Sequence, residues 1–202
     1  MTKTIHTFMV QFGSFAILLL AALMLCILPC ALADDHYAAQ NGQTPGSAYT
    51  TWETAASNIQ DAVNAATTND MVWVGAGRYT LPPNATNYIG SNVVFIRRPM
   101  TVSSSNGSAG AVIIDGEGTN RGVAIQYQES VPNRFILQGL IITNCYATNT
   151  GGGVIFRLYP GTGEVRNCVI THNIINYGTN AAGVPDGSRG GGIGAYNESA
   201  NF

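Results

Sequence analysis

Residues 135–145 read FILQGLIITNC, and residues 164–174 read EVRNCVITHNI. An offset of 29 positions sets Leu140 on Val169, Ile141 on Ile170 and Asn144 on Asn173. A glycine triplet and a small apolar strand follow each phrase, Gly151-Gly152-Gly153-Val154-Ile155 and then Gly190-Gly191-Gly192-Ile193. Gly122-Val123-Ala124-Ile125, placed 31 positions before Gly153 by its glycine, is a third and degenerate copy of that second part. A repeat of this kind makes each copy one unit that buries its apolar face against the next. The units are strand-like, so the chain is expected to be all-β, a helical coil of stacked parallel strands. The alternative is an antiparallel sandwich, which predicts hairpin turns and a spacing of about 8–12 residues. The longer register with matching apolar positions favours the coil.

Outward from the repeat, strands are expected at 71–74, 93–96, 111–114, 123–127, 135–143, 154–158, 164–171 and 193–196, between clusters of Gly, Asn, Ser and Pro. Ahead of them, residues 50–66 read as one amphipathic helix. Thr50 and Glu53 have capping-box spacing, and Trp52, Ala55, Ala56, Ile59, Ala62, Val63 and Ala66 share a face. Such a helix would cap the stack by covering its first strand edge, which otherwise pairs with another molecule. Sixteen residues separate Asn173 from Gly190, where only six separate Asn144 from Gly151. The extra length falls in the loop 174–189, the kind of insertion that shapes a binding face.

Residues 1–33 read as a signal peptide: Lys3 supplies the positive start, 15–28 the apolar stretch, and Ala31-Leu32-Ala33 the small-x-small cleavage pattern. The alternative, a membrane anchor, asks for about 20 apolar residues, more than this run holds. Residues 34–70 are then a polar lead-in with the capping helix, and 71–202 the coils. Lys3 is the single lysine, and without it eight arginines face eleven acids, a net charge of −3. No basic stripe remains, which argues against nucleic acid and against an anionic membrane surface. Of the four cysteines, Cys26 and Cys30 leave with the leader. Export permits a Cys145–Cys168 disulfide, but the 29-residue register holds the two apart along the coil, and two small buried thiols are expected.

The most acidic spot is Asp115-Gly116-Glu117-Gly118. It is a candidate cation or sugar-hydroxyl site; the plainer reading is an Asp-Gly turn. Asn144 and Asn173, equivalent in the repeat, are expected to form a structural ladder of stacked amides. His172 is the one histidine inside the repeats, with no second ligand or base near it in sequence. Tyr177, Asp186 and Arg189 in the 174–189 loop, together with His172, are the candidate glycan-binding residues. Arg97-Arg98-Pro99 reads as a strand end blunted by charge.

The phrases TWETAASNIQDAVNAATTNDMVWVGAGRYT, AVIIDGEGTNRGVAI and LQGLIITNC followed by GGGVI resemble secreted bacterial right-handed parallel β-helix proteins of the pectate-lyase-like superfamily, over residues 37–202. The Ile-x-x-Asn phrases with a later GGG[VI] are also similar to repeats of β-helical outer-membrane adhesins and autotransporter passengers. The resemblance implies a right-handed β-helix outside the cytoplasm or at the cell surface, meeting extracellular polysaccharide. It does not choose between two functions. One is a surface or glycan-binding protein. The other is a polysaccharide lyase, with acids holding Ca2+ against a uronate, or a glycoside hydrolase with paired carboxylates. The Asn-Thr-Asp and Gly-His-Gly signatures of polygalacturonases and the arginine-rich pattern of pectate lyases do not occur in residues 34–202, and the one Asp-Asp pair, Asp34-Asp35, precedes the coils, which favours the first. Residues 193–202 start another coil and stop, so a longer parent protein is expected, with self-association through the open strand edge.

Overall fold

The computed structural model describes residues 33–82, 91–148, 150–176 and 191–196, with 130–132 and 196 described for their backbone alone. In chain order the elements are β1 (Asp35–Ala38), α1 (Ile59–Ala65), β2 (Met71–Val74), β3 (Gly77–Tyr79), β4 (Asn92–Ile96), β5 (Thr101–Ser104) and β6 (Val112–Asp115). There follow β7 (Arg121–Gln138), β8 (Ile141–Thr143), β9 (Tyr146–Ala147), β10 (Val154–Arg166), β11 (Val169–Thr171), β12 (Ile174–Ile175) and β13 (Ile193–Tyr196). One sheet runs β1-β2-β5-β7-β10-β13 with β4 also beside β7; a second runs β11-β8-β6-β3; a third is β12-β9.

The fold is mostly β, and its sheets are curled and parallel throughout. Parallel neighbours cannot be joined by a tight hairpin. Here each strand pairs with the next pass of the chain: Met71 with Thr101, Thr101 with Ile136, Ile136 with Glu164, and on the second sheet Ile113 with Ile141 and Ile141 with Val169. Gly122 and Gly153 precede the pair Val123 and Val154, as the degenerate third copy predicted.

Strand alternation fills the space between the sheets. Val72, Val102 and Leu137 are in register and buried, as are Val94, Val123 and Val154; Ile114 and Ile142 are in register on the second sheet. Phe95, Ala124 and Ile155, on the opposite face, form a second small apolar row. Gly139 (φ 69°) and Asn167 (φ 49°) turn the chain at the same place in two successive passes, and Asn144 (φ 52°) and His172 (φ 54°) do so at the next corner. The runs expected as single strands, 135–143 and 164–171, therefore break at Gly139 and Asn167.

The repeat register is 28 rather than 29, pairing Ile141 with Val169, Ile142 with Ile170 and Thr143 with Thr171. Sliding a strand by one residue turns every side chain to the other face. The observed pairing puts Leu140 and Cys168 toward the core together and leaves Val169 outward, 46% exposed.

The helix spans Ile59–Ala65, not 50–66, with Asn58 as its N-cap accepting from Asp61 N. Residues ahead of it spend their backbone groups on β1: Tyr37 N donates to Tyr49 O (2.7 Å), Ala56 N to Tyr37 O (2.8 Å) and Ala39 N to Ala56 O (2.8 Å). Pairing to a strand thus overrides a helical pattern, which is only a weak prior. The helix still covers an edge, that of β4. The Gln60 side chain donates to Phe95 O (3.0 Å) and accepts from Phe95 N (2.6 Å), taking the place of a neighbouring strand. Arg98, read as blunting a strand end, donates instead to the Asn64 and Ala66 carbonyls at the helix C-terminus, where a cation suits the dipole.

Cys145 and Cys168 are free thiols. Burial pushes the Cys145 thiol up to about 12 and raises Cys168 as well. Because the thiolate is the nucleophile, iodoacetamide at pH 8 is expected to leave Cys145 of the folded protein intact while alkylating both thiols in urea, as read by mass spectrometry. Rapid native labelling of Cys145 would contradict this burial.

Candidate functional site

Tyr37 of β1 and Trp73 of β2 are cross-strand partners, and alternation turns them outward because His36, Ala38, Val72 and Val74 are buried. Trp52, in the turn before α1, meets Tyr37 edge to face with ring centroids 4.7 Å apart. It remains 40% exposed. Its ring lies over Gly75, where an added Cβ would stand 3.3 Å from Trp52 Cζ3. The Trp73 indole N–H donates to Asp35 Oδ1 at 3.0 Å. Burial, the Asp35 charge and a hydrogen bond to Asp35 raise the Tyr37 phenol, so it stays protonated. The result is an outward-facing aromatic group fixed by its neighbours, with Trp52 exposed and Tyr37 and Trp73 half-buried. The helical reading of 50–66 hid it by placing Trp52 on a core face; outward alternation at Tyr37 and Trp73 was the signal available.

An ionic corner lies on β3. The Gln40 side chain bonds both backbone groups of Arg78 on β3. Arg78 Nε donates to Asp115 Oδ2 at 2.8 Å and Arg78 Nη2 to Glu117 Oε1 at 3.5 Å. Asp115 Oδ1 accepts from Glu117 N (2.8 Å) and Asn144 Nδ2 (3.1 Å). Burial pushes the Asp115 carboxyl up, but the bonds from Glu117 N, Arg78 and Asn144 outweigh it and hold the group below the usual range. Those donors engage both oxygens of Asp115 and Arg78 sets a cation against both acids, so this pair does not fit a Ca2+ site, which needs six to eight oxygens facing the ion. A turn does follow β6, but its left-handed residues are Glu117 (φ 54°) and Gly118 (φ 68°) and not the Asp115-Gly116 pair that the sequence suggested. Among the described residues no three His, Cys, Asp or Glu side chains converge as metal ligands.

The structure thus brings Asp115, Glu117 and Asn144 together and adds Arg78, which the sequence reading passed over. His172 follows Thr171, the partner of Thr143, so it lies one pass beyond Asn144; it is exposed, with Nδ1 2.9 Å from Thr171 Oγ1. The expected amide ladder is corrected by the same register. Cys145, not Asn144, stands opposite Asn173, whose Oδ1 accepts from Cys145 N (3.0 Å) and whose Nδ2 donates to Ile142 O (3.0 Å). Each asparagine therefore satisfies backbone or carboxylate groups of the preceding pass. Tyr177, Asp186 and Arg189 lie outside the described residues. An open cleft of about 470 Å³ near the bend of β10 is lined by Phe156, Leu158, Tyr159 and Pro160 among others, with no charged side chain to orient a polar ligand.

Two further carboxylates are held low. Burial raises Asp70, but Asp34 N, Thr67 N, Thr67 Oγ1 and His36 donate to it and the net shift is downward. Burial likewise raises Glu164, and Arg134 and Arg166 outweigh it. A carboxyl depressed by folding adds stability above its unfolded pKa of about 4, and that contribution is lost as pH falls through the folded value. The melting temperature is therefore expected to drop steadily below about pH 4. Asp70→Asn should flatten that drop most, because Asp70 is the most buried of the three carboxylates. An unchanged melting temperature from pH 5 to pH 2 would contradict this.

Among the described residues no helix is long and apolar enough to cross a membrane. Comparison with protein-family models, curated proteins and solved structures gives no match to this chain.

Proposed function

We propose that this chain is an exported right-handed parallel β-helix, of the pectate-lyase-like kind, whose outer face binds polysaccharide at the cell surface. The carrying observation is the outward-facing aromatic group of Tyr37, Trp52 and Trp73, in which Trp52 is exposed and fixed edge to face on Tyr37. Aromatic faces offer sugar rings a large apolar contact at low entropic cost, and the Asp35 carboxylate at Trp73 can accept from the hydroxyls. Asp115 is held ionised by its donors, which does not suit it to supply a catalytic proton. The repeating offsets between passes and the parallel pairing support the β-helix.

The chain's two tryptophans are both in this group, so intrinsic fluorescence reports on it directly. Gels containing pectin, alginate or a neutral glucan are expected to retard the protein, with a fluorescence change on titration and no release of chain ends. Trp52→Ala should weaken binding about tenfold or more, the loss of roughly 2 kcal/mol typical of an aromatic anchor. Release of unsaturated or reducing ends would establish the lyase or hydrolase reading instead. Binding unaltered by Trp52→Ala would move the site elsewhere.

A further inference from the structure

Asp34 is clasped at both of its backbone polar atoms just before β1 begins. Met71 N donates to Asp34 O at 2.9 Å, and Asp34 N donates to Asp70 Oδ1 at 2.9 Å. Asp70 is only 2% exposed. Its second oxygen accepts from Thr67 N (2.6 Å) and Thr67 Oγ1 (3.0 Å), and lies 3.3 Å from His36 Nε2. His36 is itself buried, with Nδ1 2.8 Å from Ala48 O. A carboxylate at this depth is costly unless a cation or several donors meet it. The donor on Oδ1 is the nitrogen that directly follows Ala31-Leu32-Ala33. Ala33 and Asp34 are exposed, so the acetyl-sized group on the far side of that nitrogen is unconfined.

We propose that Asp70 is a built receptor for a new N-terminus: cleavage after Ala33 frees the Asp34 α-ammonium, which Asp70 holds as an ion pair that locks β1 into the sheet. The inference rests on the exported reading above. In the cleavage step a leader-removing endopeptidase adds water across the Ala33–Asp34 bond. The hydroxyl goes to the Ala33 carbonyl carbon and the proton to the Asp34 nitrogen, which takes a second from solvent below its ordinary pKa of about 8. A neutral amide bond to Asp70 then becomes a charge-assisted one, which is stronger.

Lys3 is the only lysine in residues 1–202, so in a protein of residues 34–202 the α-amino group is the sole primary amine. The test is to recover the exported protein, read its N-terminus, and compare melting temperatures before and after acetylating that amine, with hydroxylamine to clear tyrosine esters. Acetylation restores the neutral N–H of the uncleaved chain. The expected result is an N-terminal Asp34 and a fall of about 3–6 °C in the native protein, against about 1 °C or less in Asp70→Asn. NMR titration of the native α-amino group gives a second reading that needs no variant, with its pKa expected above about 8. A different N-terminus overturns the cleavage site on which the inference rests. An N-terminal Asp34 with no acetylation shift, an equal shift in Asp70→Asn, or an unraised α-amino pKa overturns the receptor itself.

Discussion

Phe135→Ala is expected to lower the stability of the folded chain by about 3–5 kcal/mol, the range for a large aromatic removed from a packed core. Phe135 is fully buried, and its ring meets Tyr127 edge to face with centroids 5.5 Å apart. Its strand partner on the next pass is Gly163, and the space a Gly163 side chain would need is taken by the Phe156 ring. Tyr127, Phe135 and Phe156 thus fill one volume between adjoining passes, and the neighbouring strands hold it open when one ring is lost. The melting temperature should fall by roughly 6–20 °C for a domain of this size. Chemical denaturation with the slope unchanged would show that the loss belongs to the native state. A loss below 1 kcal/mol would mean that this space is not packed as described.

Gly139→Ala is the second large effect, about 2–5 kcal/mol from left-handed strain and overpacking together. Gly139 has φ 69° at the corner between β7 and β8, and an added Cβ would meet Ser104 Oγ, with Gly107 C at 2.6 Å and Ser108 N at 2.8 Å. Two causes act there, and Gly139→Asn separates them. Asparagine tolerates the left-handed region, as Asn167 does at the equivalent corner of the next pass with φ 49°. If close approach of the 104–108 turn dominates, Gly139→Asn destabilises as much as alanine. If backbone strain dominates, asparagine recovers most of the loss. A neutral Gly139→Ala would contradict the corner geometry.

The parallel stacking was legible because the phrase at 135–145 returns at 164–174 and each copy alternates. The register was not. Both Asn144 and Asn173 end their phrases, and aligning them gives 29, but the backbone aligns Asn144 with His172, since both take the left-handed turn. Side-chain identity pointed one way and φ the other, and no apolar count separates offsets of 28 and 29 when Leu140, Ile141 and Ile142 run together. Corners were hidden for a related reason. FILQGLIIT is continuous in hydropathy, so only Gly139 marks the break, and RNCVIT offers only Asn167. Strands β1 (DHYA), β3 (GRY) and β5 (TVSS) carry too few apolar residues to stand out. β1 shapes the candidate site most, because it draws residues 49–56 out of a helix and so brings Trp52 onto Tyr37. Asp115, Glu117 and Asn144 were legible as polar positions, but Arg78, which binds both acids, lies 37 residues before Asp115 and is joined to it only by stacking.

The measurement that bears most directly on this account is the detection of scalar couplings through backbone hydrogen bonds by NMR. Couplings are expected from Val169 N to the Leu140 carbonyl carbon, from Ile174 N to that of Cys145, and from Val154 N to that of Gly192, following the bonds at 2.9, 2.8 and 2.8 Å. Together they would fix the 28-residue offset of β8 with β11 and of β9 with β12, and the parallel pairing of β10 with β13. Reciprocal couplings between sequence-adjacent strands, the mark of antiparallel hairpins, would contradict the stacked architecture and every placement built on it.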